Sequence, residues 1–429
     1  MGLKLRSSRA AWVLTAVVMT LVAFLFYANL TGTDEHIEVA LRHRYPACDP
    51  QFRRTSSSLL GPPVVNGNRV TSLQNGDQAF PAMLKAIRSA KHSVTFEGYI
   101  FWSGAVAQSF ADAFSERARA GVPVHLVLDW LGSKKMDRKH LKQMRQAGVE
   151  IVRYRPIRWY NLDRMNKRTH RKILVVDGKI GFVGGMGIAD PYSGNAQDMD
   201  HWRDSQYQFE GPVVAQLQSD FLDNWIKTGN VLLDGPAYFP PLDSVGPQFA
   251  QAFHSSPGDG VESLRLIFLL AISAATDRIL IGSPYFVPND LAVSMLVDAR
   301  KRGVDVEIIV PGPILDAEVV RRASKAKWKP LLEAGVKIYE YQPTFYHTKV
   351  MVVDDCWVSV GSANFDNRSF RLNDEANINV LDQKFAREQA RIFAEDRARS
   401  RQVTLEQWRK RPITERLEEL VGRMVRHQL

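Results

Sequence analysis

Cysteine is almost missing from this chain: Cys48 and Cys356 are the two among 429 residues. Two thiols cannot frame a disulfide-built fold or supply a thiolate-rich zinc site. Cys356 follows the acidic end of a predicted strand, where it is expected to pack, and a Cys48–Cys356 bridge stays open for an oxidising compartment. Acidic residues are in deficit, 46 against 56 lysines and arginines, for a net charge of +10 and a pI near 9.5. That balance favours nucleic acid or an anionic membrane surface and does not choose between them. No carboxylate cluster or ligand spacing suits a metal ion, so neither metal nor cofactor is expected. Charge is wholly absent from residues 10–30, "AAWVLTAVVMTLVAFLFYANL". As a helix this run spans roughly 32 Å, enough to cross a bilayer core. Lys4, Arg6 and Arg9 precede it, and Asp34, Glu35 and Glu38 follow. By the positive-inside rule the N-terminus stays cytoplasmic and the rest of the chain faces outward. A cleaved signal peptide is the competing reading; the length of the run and the weak cleavage site "YANL" favour an uncleaved anchor.

The rest of the chain is one unit written twice. "AIRSAKHSVTFEGYIF" (86–101) aligns without gaps on "AISAATDRILIGSPYF" (271–286), and "AGVPVHLVLD" (120–129) on "RGVDVEIIVP" (302–311). "AGVEIVRYRP" (147–156) matches "AGVKIYEYQP" (334–343), and "THRKILVVDG" (169–178) matches the run around "YHTKVMVVDD" (346–355). Four collinear matches at offsets of 185, 182, 187 and 177 mark a duplication. Helical and strand patterns alternate in each copy, which predicts an α/β sandwich with a largely parallel sheet. "ILVVDG" and "VMVVDD" read as strands buried on both faces. The expected organisation is a basic N-terminus (1–9), a transmembrane anchor (10–30), a lead-in (31–75), domain 1 (76–230), a Pro- and Gly-rich linker (231–262), domain 2 (263–400) and a basic amphipathic helix (401–429).

A single His-x-Lys at the edge of a buried strand is ordinarily a core or rim feature. Here two copies occupy equivalent places: His170, Lys172 and Asp177, and His347, Lys349 and Asp354. Strand alternation puts His and Lys on one face. Two such strands meeting across a pseudo-twofold interface would gather two imidazoles and two ammonium groups around one pocket. Fixed cations with small polar residues describe a phosphate site. One imidazole can attack phosphorus while the other protonates the leaving oxygen, and the roles reverse in the second half-reaction. Each histidine needs a carboxylate to fix its tautomer, and Asp204 ("HWRDSQYQFEG") and Glu375 ("RLNDEANINV") are the candidates.

These residues resemble the phospholipase D superfamily, whose paired H-x-K-x-x-x-x-D motifs match "HRKILVVD" and "HTKVMVVD". "SPYFVPND", "GSANFDNRSFRLNDE" and "HWRD…EGPVVAQLQSDFLDNW" are similar to bacterial cardiolipin synthases. The resemblance implies two pseudo-twofold-related domains and a phosphohistidine on His170, with His347 as general acid and base. Lys172 and Lys349 would bind phosphate, helped by Ser362 and Asn364. Asp177 and Asp354 complete the catalytic motifs, although their distance along the strand makes them look structural. The chain departs from the family pattern at Gly187, where the second copy has Asn364; a backbone N–H, Ser193 or Asn195 would have to stand in.

Superfamily members include nucleases, so the lipid reading rests on position and patterning. The anchor confines the enzyme to a phospholipid surface. "WYNLDRMN" (159–166) offers apolar side chains just before the first motif. Ile413, Leu417, Leu420, Val421 and Met424 recur at helical spacing beside Arg416, Arg423 and Arg426, as in a helix lying on an anionic membrane. The expected activity is transfer of a phosphatidyl group to the glycerol head of phosphatidylglycerol, with phosphatidylglycerol or phosphatidylethanolamine as donor and no nucleic-acid partner. The alternatives are hydrolysis as a phospholipase D, a nuclease, and a non-catalytic binder of anionic lipid. The expected location is the bacterial inner membrane, with the catalytic domains on its outer side.

Overall fold

The computed structural model describes residues 11–21, 41–156, 167–257 and 263–411. Two copies of an α/β unit share one continuous sheet of 16 strands. Each copy has three parallel strands, Val94–Gly98, Val124–Asp129 and Glu150–Tyr154 in the first, Arg278–Gly282, Asp305–Pro311 and Lys337–Tyr341 in the second; Ser400–Val403, at the start of the segment expected as a helix from 401, adds an antiparallel edge strand to the second. The motif strands follow as antiparallel hairpins, Ile173–Val176 with Ile180–Gly184 and Val350–Val353 with Trp357–Gly361.

The largely parallel sheet read from the sequence is therefore corrected to a mixed one. The apolar runs are buried on both faces as expected, but helices on each side achieve this for antiparallel strands. The hairpins were signalled by "DG" and "DD" between apolar runs, since tight primed turns need left-handed backbone at both central residues. Asp177 and Gly178 have φ of 54° and 62°, and Asp354 and Asp355 have 50° and 52°.

The duplication also reaches beyond the expected boundaries. Strand Val65–Gln74, in the segment taken as lead-in, pairs with Ser205–Glu210. Strand Gln248–Ser255, in the segment taken as linker, pairs with Asn373–Leu381. These first strands of the two copies pair with each other through Val65↔Ala250 and Asn68↔Gln248, which joins the halves. Each copy has its own core under its helices, around Phe96, Phe110 and Phe114 and around Phe268, Phe365 and Trp328. A third core is shared, with Ile173, Val175 and Leu217 of the first copy in one cluster with Val350, Val352 and Phe393 of the second. The halves are thus fixed to each other by apolar burial, the dominant favourable term in folding.

Cys48 and Cys356 form a disulfide, realising the pairing the sequence left open, and Cys356 also packs in the second core as expected. The bridge ties helix Pro50–Leu59, at the start of the chain's described body, to the second copy. Of the apolar run 10–30, residues 11–21 are helical and exposed, and the remainder lies outside the described residues. Among the described residues no helix is long and apolar enough to cross a membrane. Segment 159–166 and the apolar positions 413–424 also lie outside the described residues.

Candidate active site

Both motif histidines sit just before their strands, and the opposite copy holds each of them. The His170 N–H donates to the Asp374 carbonyl (2.8 Å), and the His347 N–H to the Arg203 carbonyl (2.7 Å). The next residue in each case supplies a carboxylate. Nδ1–H of His170 donates to both oxygens of Glu375 (3.0 Å each), and Nδ1–H of His347 to Asp204 (2.6 Å). A carboxylate can only accept, so each ring keeps its Nε2 lone pair for chemistry. The two expected acids are thus in place, and they are exchanged: the second copy orients the first histidine and the first copy orients the second.

Glu375 is itself held tightly. It accepts from Ser362 Oγ (2.5 Å), Ser369 Oγ (2.9 Å) and Asn373 Nδ2 (3.2 Å). Ser362 was expected to bind phosphate; it is fully buried, and its hydroxyl serves the carboxylate. At the matching position Gly185 lets the shorter Asp204 approach, since a Cβ there would lie 2.3 Å from the Asp204 carboxylate.

Lys172 and Lys349 each donate to the carbonyl of their own motif histidine at 2.8 Å, and Lys349 Nζ also lies 3.2 Å from His347 Nε2. Burial pushes Lys172 down to about 7, with Lys349 adding to it, and pushes Lys349 down to about 8. Burial also lowers the imidazoles, His170 to about 4 and His347 to about 3, outweighing their carboxylates. Three rings, Tyr192, Trp202 and Phe345, pack around His347. Burial alone would raise Glu375, but His170, Lys172 and the Ser362 hydroxyl hold it below its ordinary value. The site thus holds its imidazoles neutral, and burial outweighs the Glu375 and Asp204 carboxylates in weakening the charged forms of both lysines. A phosphodiester adds an anion and makes protonation of His347 easier.

His170 and His347 face one cavity of about 160 Å³, lined also by Tyr99, Arg168, Tyr192, Trp202, Tyr285, Asp316, Asn364 and Arg368. Asn364 is there as expected, and its amide oxygen has no partner among the described residues. Of the three substitutes considered for the missing asparagine, the two side chains, Ser193 and Asn195, do not line the cavity. Ser193 donates to the Asp190 carbonyl, and Asn195 accepts from Asn75. A side chain at Gly187 is excluded, because its Cβ would lie 2.6 Å from Ile100 Cβ and 3.2 Å from the Tyr192 ring. Apolar atoms fill in the first copy the space that an amide occupies in the second.

Asp177 and Asp354, counted with the catalytic set, lie just past the far ends of their strands, each strand about 13 Å long, and neither lines the cavity. Asp177 accepts the backbone N–H groups of Lys91, His92 and Ser93. Asp354 accepts those of Thr276, Asp277 and Arg278. They fasten each hairpin turn to the entry of the neighbouring strand. The lining aromatics, the two arginines and Asp316 escaped sequence reading because they come from loops or from elements too short to show periodicity, such as strand Arg168–Thr169 and helix Asn367–Arg371; "SPYF" and "NRSF" carried the available signal.

The comparisons agree with this geometry. The family described as cardiolipin synthase, PLD-like domain, matches residues 83–225 and 268–397. The chain belongs to that family. It is 35% identical over 375 residues to cardiolipin synthase 1 of Bacillus cereus, covering 85% of this chain and 73% of the relative. It is 37% identical over 368 residues to cardiolipin synthase A of Pseudomonas fluorescens, covering 85% and 75%. Among solved structures, phosphatidylserine synthase of Haemophilus influenzae shares the fold with a TM-score of 0.66 at 13% identity, covering 88% of this chain and 100% of that one.

Proposed function

We propose that this member of the cardiolipin synthase family is a phosphatidyltransferase that joins a phosphatidyl group to the glycerol head of phosphatidylglycerol. The observation that carries the reading is the pair of carboxylate-oriented histidines facing one cavity, each with its motif lysine buried beside it. His170 Nε2 attacks phosphorus and the P–O bond to the head-group alcohol breaks, with His347 protonating the leaving oxygen. The acceptor hydroxyl then gives its proton to His347 as its oxygen attacks phosphorus, and the P–N bond to His170 breaks. Lys172, Lys349 and Asn364 hold the phosphate oxygens, and their charge is worth most in this buried setting. Phosphatidylglycerol and phosphatidylethanolamine are the candidate donors.

We place the protein at the bacterial inner membrane, anchored by residues 10–30, with its catalytic body on the outer side. The flanking charges support that orientation, and the Cys48–Cys356 disulfide supports an oxidising compartment.

The test uses purified full-length protein in vesicles of phosphatidylglycerol and phosphatidylethanolamine, with lipid products followed by mass spectrometry. Wild type should form cardiolipin with or without EDTA, and His170→Ala and His347→Ala should form none. Phosphatidic acid alone would make the enzyme a hydrolase. Cleavage of single-stranded DNA without lipid turnover would overturn the lipid reading.

A further inference from the structure

The pseudo-twofold equates the two ends of the cavity, yet their side chains differ in charge. Imidazoles, arginines and amides supply the other polar groups besides the aromatic rings, and Asp316 is the one carboxylate among the described lining residues. A negative charge beside a phosphodiester site weakens phosphate binding, so it calls for a ligand of another kind. Asp316 belongs to the loop after strand Asp305–Pro311, and its two oxygens lie 2.7 Å from the Tyr285 hydroxyl. A carboxylate has about four lone-pair sites, so one tyrosine hydrogen leaves acceptor capacity facing the cavity. The matching residue to Tyr285 in the first copy is Ile100, 185 positions earlier, which has no hydroxyl. The pair therefore exists on one side only. Asp316 lines the cavity together with His347, and both belong to the second copy.

We propose that Asp316, positioned by Tyr285, is the subsite for the vicinal hydroxyls of a polyol head group. This rests on the phosphatidyltransferase reading and deepens it. Two carboxylate oxygens suit two adjacent hydroxyls as acceptors. The leaving alcohol takes its proton from His347 as its P–O bond breaks, and the entering alcohol returns a proton to His347 as the same kind of bond forms. Leaving and entering glycerols consequently occupy one place, and Asp316 serves both. Holding the acceptor there favours glycerol over water and over alcohols that have one hydroxyl.

The experiment measures partition of the phosphatidyl group in full-length wild type, Asp316→Asn and Tyr285→Phe. Phosphatidylglycerol vesicles are incubated with 1-butanol, and in a second series with 1,2-propanediol against 1-propanol. Product ratios do not depend on how much of a variant is folded. Loss of a charged hydrogen-bonding partner should lower the cardiolipin-to-phosphatidylbutanol ratio by about tenfold to a hundredfold in Asp316→Asn. The preference for 1,2-propanediol should fall with it, and Tyr285→Phe should show a smaller change of the same sign. Unchanged ratios in both variants would overturn the subsite and leave the transferase standing. Failure of wild type to transfer to any alcohol would overturn the transferase reading and the subsite together.

Discussion

Glutamine in place of Glu375 keeps the shape of the side chain and removes its ability to accept everywhere. The groups around it are committed donors. Ser362 Oγ already accepts the Ala376 N–H, and Ser369 Oγ accepts the Asn364 N–H, so both hydroxyl hydrogens point at the carboxylate. Nδ1–H of His170 bridges its two oxygens at 3.0 Å. Whichever way a glutamine amide turns, its NH₂ meets donors, and the arrangement that costs least makes His170 accept at Nδ1. That tautomer carries its hydrogen on Nε2 and cannot attack phosphorus. A correctly placed histidine in the wrong tautomer loses on the order of 10³–10⁴ in rate, equivalent to about 4–5.5 kcal/mol of barrier. The assay is single-turnover formation of the phosphatidyl-enzyme at pH 7, quenched and read by intact-protein mass spectrometry. Glu375→Gln within tenfold of wild type would refute the argument. A phosphodiester with a p-nitrophenyl leaving group separates the two histidines, because that group leaves without a proton. Asp204→Asn should recover much of its phosphoenzyme formation with this substrate, whereas Glu375→Gln should not. The opposite pattern would exchange the roles of His170 and His347.

Asp177→Ala and Asp354→Ala should each cost about 1–3 kcal/mol of stability in denaturant titration, since backbone donors lose their acceptor, with kcat within threefold of wild type. A hundredfold drop in kcat at unchanged stability would return these acids to the chemistry. Gly187→Ala should destabilise by about 1–3 kcal/mol through overpacking against Ile100. Ile100→Gly in the same chain removes the clashing Cβ and should recover most of that, and no recovery would mean that Ile100 is not the obstacle. Lys172 and Lys349 should make anion binding depend on pH. Because a bound anion favours their charged forms, affinity for sulfate, whose charge is constant here, should fall as pH rises through about 7 to 8. Calorimetry in buffers of different ionisation enthalpy should show proton uptake on binding at pH 8, and a flat affinity from pH 6 to 9 would contradict it. Between those values and the ordinary lysine value of 10.5 the folded protein binds fewer protons than the unfolded chain, so these two groups make stability rise with pH.

The repeat, both histidines, both lysines and both acids were legible because a gene-internal copy supplies a comparison that one motif lacks. Exchange of the acids was not legible. Asp204 and Glu375 each follow their own copy's motif in sequence, and nothing in a one-dimensional pattern shows that the strands carrying them cross to the other half. The parallel-sheet expectation failed for a related reason. A run such as "ILVVDG" shows burial, and burial on both faces occurs in either strand direction once helices cover each side. The turn residues held the missing information, as "DG" and "DD" demand left-handed backbone. The first strand of each copy was missed because "VNGNRVTSLQ" and "QFAQAFHS" sit among turn-forming residues and lack the apolar density of the other strands. Ser362 was misread because a hydroxyl near a phosphate site and a hydroxyl supporting a catalytic acid have the same sequence.

Exchange of the carboxylates explains why a duplicated protein can use its two halves for unequal work. Within one copy, the His170 ring has no carboxylate on its Nδ1; that acid, Glu375, arrives only when the halves dock through their shared core. Docking therefore creates both oriented imidazoles at once, and the twofold alone would make them interchangeable. The differences that remove the degeneracy lie in the lining. Asn364, Tyr285 and Asp316 belong to the second copy, while Gly187 and Ile100 stand at the places of Asn364 and Tyr285 in the first. Asn364 is tied through Ser369 to Glu375 and so to His170, while Gly187 lies against Tyr192, which packs on His347. The two histidines therefore meet different surroundings, three aromatic rings around His347 and one, Tyr99, beside His170. Gly187, the one departure from the family pattern, thus belongs to the asymmetry that assigns the two histidines different tasks.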